Sequence, residues 1–365
     1  MVTAGKTLAQ MGGHATAVAL LALSLALPTP QANAGCDYSS SQITLLRTGG
    51  NRPGWRFNTS IVYAEKVGDQ FQVHSIEPDG TGVTCLTCGS PRNNDSPEWS
   101  PDGNYILFLS DRDHPASFGG GGGGAGQELY VMNPDGSGQV RLTVSPAHAT
   151  NYHAHFSNDG TRVLWTSTAT FTWDMMIADF LTDGTGPRLE NVQRLTHDTS
   201  WYEAHDWSSD DSTILFTDTR DRALDGEIYT MDLADGTVTR LTDSPSWDEH
   251  AHYSPDGTTI AWMSSRHRSF ALDRFASDAR PPLLDFLMVV PGAMSGFLNP
   301  PVGREAELFL MDADGSNVRQ VTSHAGVVAD LSWSPDGHSI VYRLIAVPAV
   351  QDNGDIMKIT FDCQP

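Results

Sequence analysis

Five copies of one short turn motif constrain this chain more than any other feature. An aromatic residue, Ser, a variable residue, Asp, and Gly or an equivalent recur as Trp99-Ser100-Pro101-Asp102-Gly103, Phe156-Ser157-Asn158-Asp159-Gly160, Trp207-Ser208-Ser209-Asp210-Asp211, Tyr253-Ser254-Pro255-Asp256-Gly257 and Trp333-Ser334-Pro335-Asp336-Gly337. Pro or its substitute opens a tight turn, Asp bonds its own backbone, and Gly accepts the positive φ needed to leave it. Each copy precedes a β-rich run such as Tyr105-Ile106-Leu107-Phe108 or Thr259-Ile260-Ala261-Trp262, so each marks a hairpin. The spacing of roughly 45 to 80 residues brackets the period of propeller blades with insertions.

A second turn follows in most units: Pro78-Asp79-Gly80, Pro134-Asp135-Gly136, Ala234-Asp235-Gly236 and Ala313-Asp314-Gly315. The strand after it ends in Leu86-Thr87, Leu142-Thr143, Leu195-Thr196, Leu241-Thr242 or Val321-Thr322. Four strands per unit make a blade, and one such sheet cannot bury its faces without neighbours. The last unit stops at Ile356–Phe361 without an outer strand, and Ile43-Thr44-Leu45-Leu46 can supply it from the other end of the chain. The expectation is therefore an all-β, six-bladed β-propeller of four-stranded antiparallel blades, closed by an N-terminal strand that completes the last blade and leaves no open edge. The four cysteines, Cys36, Cys85, Cys88 and Cys363, allow three pairings by sequence alone. Ring closure brings Cys36 beside Cys363 and predicts that clamp, leaving Cys85–Cys88 as a local disulfide.

These motifs resemble the TolB-type propeller repeat over nearly all of residues 35–365. The copies beginning at Trp99, Tyr253 and Trp333 match in full, whereas Asn158 replaces Pro, Ser209 replaces Pro and Asp211 replaces Gly in the other two. Nothing matches the separate N-terminal domain that TolB carries, so the resemblance implies a shared repeat and not an identical role.

Lys6, an apolar run from Ala15 to Leu27 and the triplet Ala32-Asn33-Ala34 form a secretory signal over residues 1–34, followed by a single propeller domain over 35–365. The expected location is secreted or periplasmic, with no transmembrane segment after cleavage. Lipoprotein anchoring through Cys36 is the lesser alternative, since Asn33 stands where an aliphatic residue is wanted. With 22 Lys and Arg against 44 Asp and Glu, the net charge of −22 repels polyanions and argues against nucleic acid as a partner.

Both sets of Asp-Gly turns fall on one side of the disc, so the starts of the inner strands share the other. There lie Tyr152-His153-Ala154-His155, Trp201-Tyr202-Glu203-Ala204-His205-Asp206 and Asp248-Glu249-His250-Ala251-His252. In an extended strand His153 and His155 point to one face, as do His250 and His252. His153, His155, Glu203, His205, His250 and His252 are the candidate ligands of a divalent metal; imidazole with carboxylate suits Mn, Zn, Fe or Ni, and Ca is retained beside them. Asn94, Asp95, Glu98 and Asp330 occupy the matching places in other units, as orienting groups or a general base. Histidines hydrogen-bonded between blades are the structural alternative.

Arg112, Arg220 and Arg266 each fall four residues after an aromatic residue of the second strand, and with Arg222, His267 and Arg268 suggest an anion-recognising patch. Ion pairing with the neighbouring aspartates is the competing explanation. Trp173, Trp201, Tyr202 and Trp247 offer stacking surfaces for sugar rings. A glycine run at 119–124 lacks the Lys and Ser/Thr of a phosphate loop, and the insertion at 269–304 reads as an apolar lid.

The His-x-His spacing resembles that of oligogalacturonate lyases. That resemblance implies a metal-dependent lyase acting on uronate-containing oligosaccharides, with His205 and Asp248 as candidate proton acceptors and Arg220 or Arg266 clamping the substrate carboxylate. The alternative is a non-enzymatic propeller module of the cell envelope, binding an acidic oligosaccharide or an envelope protein.

Overall fold

The computed structural model describes residues 36–114, 126–221, 225–266, 305–346 and 354–363. The signal segment, the glycine run, the 269–304 insertion, Arg222, His267 and Arg268 lie outside the described residues.

The chain opens with β1 (Cys36–Gly54), β2 (Ile61–Val67), β3 (Gln70–Ile76) and β4 (Thr84–Cys85). Next come β5 (Asn94–Trp99), β6 (Ile106–Ser110), β7 (Glu128–Met132) and β8 (Val140–Arg141). The third unit is β9 (Asn151–Phe156), β10 (Arg162–Ser167), β11 (Asp174–Leu181) and β12 (Arg188–Arg194). It is followed by β13 (Tyr202–Trp207), β14 (Thr213–Asp218), β15 (Glu227–Asp232) and β16 (Val238–Arg240). The last strands are β17 (Asp248–Tyr253), β18 (Thr259–Ser264), β19 (Glu307–Asp312), β20 (Arg319–Gln320), β21 (Gly326–Trp333), β22 (Ser339–Ala346) and β23 (Gly354–Cys363).

The expectation of six separate four-stranded blades is corrected. Four sheets have four strands each, and the remaining strands form one seven-stranded sheet ordered β21-β22-β23-β1-β2-β3-β4. The architecture is an all-β propeller of four small blades plus a larger sheet. The cause is β1, a continuous 19-residue strand. Its first part pairs antiparallel with β23, from Cys36↔Cys363 to Gly50↔Gly354, and its end pairs with β2 at Gly50↔Glu65 and Gly54↔Val62. One strand thus hydrogen-bonds on both edges and fuses what the repeat count separates. Disulfides join Cys36 to Cys363 across this pairing and Cys85 to Cys88 at the far edge of the sheet.

The repeats earn their positions through side-chain bonds. In each motif the Ser hydroxyl donates to the Asp two residues on, at 2.6 Å for Ser100–Asp102 and Ser254–Asp256 and 2.7 Å for Ser157–Asp159 and Ser208–Asp210. The same hydroxyl accepts the amide five residues on, as from Tyr105, Arg162 and Thr213, so it closes the hairpin from both sides. The motif tryptophans reach the preceding unit, with the indoles of Trp207 and Trp333 donating to the carbonyls of His155 and His252. The Thr of each Leu-Thr ending accepts a third-strand amide and donates to a buried acid or amide, as Thr242 does with Ile228 and Glu227.

The two divergent motifs complement one another. Asn158 donates its amide and its side chain to Asp211 at 2.8 and 2.7 Å, which a proline could not do, and Asp211 also accepts from the Asp159 amide at 2.9 Å. The core lies between neighbouring sheets, for example Leu107, Leu109 and Val131 against Phe156, Trp165 and Phe180. Strands such as β6 are therefore buried on both faces and read as continuous apolar runs rather than alternating ones. The outermost strands β4, β8 and β20 are two residues long, which limits the exposed edge.

Candidate metal centre

Strands β1, β5, β9, β13, β17 and β21 pack in sequence, with β21 returning to β1. All six contribute to one cavity of about 70 Å³, lined by Arg52, Glu98, His153, His155, Asp206, His250, His252 and Asp330 among others. Each of these strands carries a register shift next to the cavity, so each has a bulge there. Five of them place a non-glycine residue in the left-handed region: Arg52 (φ 47°), Ser96 (φ 50°), His153 (φ 42°), His250 (φ 52°) and Asp330 (φ 45°). A bulge turns a side chain away from the alternation of the strand, and left-handed backbone at such residues tends to gather at functional sites.

The plain extended geometry expected for the two His-x-His pairs is thus corrected: His153 and Ala154 together face Trp165 across the bulge. The histidines still converge. Ring centroids are 5.2 Å apart for His153–His250, 6.2 Å for His153–His205 and 6.1 Å for His205–His250. His155 and His252 form a second tier with centroids 5.3 Å apart.

In the first tier, His153, Glu203 and His250 each offer a ligand atom within 4.8 Å of the others. His153 Nδ1 is 3.2 Å from Glu203 Oε1, and the Nδ1 atoms of His205 and His250 are each 3.9 Å from the same oxygen. His250 Nε2 is 3.8 Å from both Glu249 and Asp330. His205 Nε2 is 2.6 Å from the Thr217 hydroxyl, which itself donates to the Asp248 carbonyl at 3.2 Å. The imidazole must then be the donor at Nε2, so its lone pair sits on Nδ1, facing Glu203.

Several of these atoms are buried with no hydrogen-bond partner: His153 Nε2, His155 Nε2, His205 Nδ1 and both carboxylate oxygens of Glu203. Native interiors rarely leave such groups unpaired without a water or ion to meet them. Burial, together with the neighbouring His250, holds the imidazoles of His153 and His205 well below the usual histidine range, so both are neutral at pH 7. Burial and the adjacent Glu249 carboxyl push Glu203 well above the carboxylate range. Neutral imidazoles beside a carboxyl that ionises when a cation arrives are a donor set that fits a divalent ion.

In the second tier each ring turns Nδ1 toward an acid. His155 Nδ1 is 2.5 Å from Glu98, and His252 Nδ1 is 3.7 Å from Asp206. Burial would raise the Asp206 carboxyl, but Arg56 and His252 outweigh it and hold it at about 2. Arg56 ion-pairs with Asp206 and donates to Asn158 at 2.9 Å, and so occupies that end of the channel. Arg52 donates to Tyr152 and to Ser96 and lies 3.3 Å from Asp95. Arg52, Arg56 and Arg343 carried no signal in the sequence, because the strand ends that bring them inward are assembled only by ring closure.

Arg220, Arg266 and Asp248 are not part of the cavity lining. Arg266 donates to Asp248 at 2.8 Å and lies over Trp262 and Phe309, with centroid distances of 5.1 and 4.9 Å. Arg220 bonds Asp218 and lies over Tyr229 at 5.2 Å. Arg112 repeats this with Asn94 at 2.6 Å and Tyr130 at 4.6 Å, which also takes Asn94 out of the channel. Each arginine is folded back on its own sheet as a brace. Trp173 and Trp201 are buried and pack with Trp247 and Tyr152 as an aromatic layer beside the first tier.

No protein-family profile matches the chain. A 90-residue segment is 42% identical to the Tol-Pal system protein TolB of Geobacter sulfurreducens, covering 25% of this chain and 18% of that protein. A 105-residue segment is 30% identical to TolB of Syntrophus aciditrophicus, covering 28% and 20%. The chain is a propeller-fold protein related to TolB. Putative TolB from Agrobacterium tumefaciens matches with a TM-score of 0.56 at 18% identity, over 88% of this propeller and 98% of that chain. An oligogalacturonate lyase in complex with manganese matches at 0.50 with 13% identity, over 85% and 76%. At these identities the structural likeness is one of fold, and the sequence matches span about a fifth of the TolB relatives. Among the described residues no helix is long and apolar enough to cross a membrane.

Proposed function

We propose that this chain is a non-enzymatic binding propeller of the cell envelope whose channel holds one divalent metal ion between its blades. The observation that carries the reading is the meeting of His153, Glu203 and His250, with one ligand atom from each within 4.8 Å of the others, beside a cavity of about 70 Å³ that His153 and His250 line. That volume admits an ion with a few waters, each needing about 10–15 Å³ by this measure.

When bound, the ion would supply a fixed positive charge at the mouth of the channel. The residues of the chain do the rest. Thr217 orients the His205 ring, Glu203 would complete the ligand set as a carboxylate, and His250, with Arg343 and Arg52, holds Asp330 below the carboxylate range despite burial. An acidic group on a saccharide or on a protein is the complementary partner for such a mouth. The relation to TolB supports an envelope location, secreted or periplasmic.

The lyase reading is the competing one, supported by the mixed His and carboxylate set. Against it, Arg220 and Arg266, the residues that would clamp substrate, and Asp248, one of the two candidate proton acceptors, are engaged with one another or with their own sheets away from the cavity, and only His205 stands in the cluster. The test is metal analysis of untagged protein, followed by a panel of uronate oligosaccharides monitored for unsaturated product. About one equivalent of metal, a chelator-sensitive melting temperature and no product are expected. Product formation that His250→Ala abolishes would establish the lyase instead, and metal below half an equivalent would remove the metal from both readings.

A further inference from the structure

The hairpin of β3 and β4 places a second group of metal-ligating side chains at the far edge of the seven-stranded sheet. His74 and Cys85 are direct register partners across the hairpin, and Cys85 is bonded to Cys88. One imidazole nitrogen and the two sulfurs lie within 4.8 Å of one another. His74 is buried, while Cys85 is half-buried and Cys88 exposed. The ring is fixed in place: Nδ1 is 3.0 Å from the Gln72 carbonyl, and Tyr63 stacks on it with centroids 5.5 Å apart. A carbonyl only accepts, so Nδ1 carries the proton and the lone pair is on Nε2, the orientation that a second hydrogen bond commonly gives a metal-binding histidine.

We propose that His74, Cys85 and Cys88 form a redox-gated site for a thiophilic divalent ion such as Zn²⁺, closed while the disulfide is intact. Opening requires a dithiol reductant. Its thiolate attacks the exposed Cys88 sulfur, the Cys85 sulfur leaves, and the second thiol of the reductant resolves the mixed disulfide. The reductant departs as its own disulfide, and two electrons and two protons have passed to the cysteines. Zn²⁺ then displaces both thiol protons and takes two thiolates and one imidazole, leaving a fourth position for water. The bond spans three residues of sequence, so the hairpin keeps its pairing when it opens. Cys36, Cys363 and His338 meet the same distance limit, but the His338 side chain is 47% exposed and has no comparable fixing contact, so that group is not pre-formed.

Cobalt distinguishes this site from the channel, whose donors are nitrogen and oxygen only. Full-length oxidised protein titrated with Co²⁺ is expected to show no sulfur-to-cobalt charge-transfer band. After mild reduction, with alkylation mapping to confirm that Cys36–Cys363 is intact, the band should appear, saturate at one ion per chain and vanish on adding Zn²⁺. His74→Ala should weaken binding at least tenfold, and Cys85→Ser should abolish the band while leaving metal in the channel. No band after reduction, a band indifferent to His74→Ala, or a Cys85–Cys88 bond that opens only on unfolding would each overturn the proposal.

Discussion

The two disulfides close loops of very different size, and their removal should separate accordingly. Cys36 and Cys363 are 327 residues apart in sequence, Cys85 and Cys88 three. In the chain-entropy account a crosslink acts on the unfolded chain, with a stabilisation that grows as 1.5RT times the logarithm of loop length. The ratio of these loops then corresponds to about 4 kcal/mol at 25 °C. For a domain of this size that difference is roughly 6 °C in melting temperature. The native state should change little, since β1 and β23 keep their backbone pairing from Asp37↔Asp362 onward without the sulfurs. Calorimetry of Cys36→Ser/Cys363→Ser and Cys85→Ser/Cys88→Ser, each against the parent, measures both losses. Equal shifts, or a larger shift for the short loop, would refute the view that the long disulfide works by restraining the open chain.

Asn158→Pro restores the repeat consensus yet should destabilise the protein by about 2 kcal/mol, because Asp211 loses two donors; urea denaturation reads this directly. Arg266→Ala leaves Asp248 buried without its guanidinium and should cost about 3 kcal/mol while the metal content of the channel stays the same. Asp218 is pushed up to about 6 by burial, which Arg220 only partly offsets. Its folded pKa exceeds the unfolded one, so the charged form opposes folding above about pH 6, and stability is regained as pH falls toward 4. Parent protein should therefore gain about 1 kcal/mol relative to Asp218→Asn between pH 7.5 and 5, and an unchanged difference would dismiss the carboxyl as the cause.

Much of the propeller is legible in local sequence because its turns are made by neighbours. Ser100 to Asp102 and Ser254 to Asp256 are short-range bonds that a repeat can print again and again. The histidine-bearing strands could also be named from their residues. Their exact presentation could not, since the bulges that turn His153, His250, Arg52 and Asp330 toward the axis depend on mismatched pairing with a second strand. The placement of the arginines depends on tertiary structure for a related reason. Spacing shows that Arg112, Arg220 and Arg266 are equivalent, but only the packed sheet offers each one an aromatic pair to lie on.

The sequence by itself determined the hairpins, the alternation of turns, and which strands carry imidazole and carboxylate. Tertiary structure decided that β1 joins two repeat units into one sheet, and that donors from separate strands meet around a single cavity. The division follows from range: turn chemistry is settled within about five residues, whereas ring closure and the burial of charge are settled by residues hundreds of positions apart.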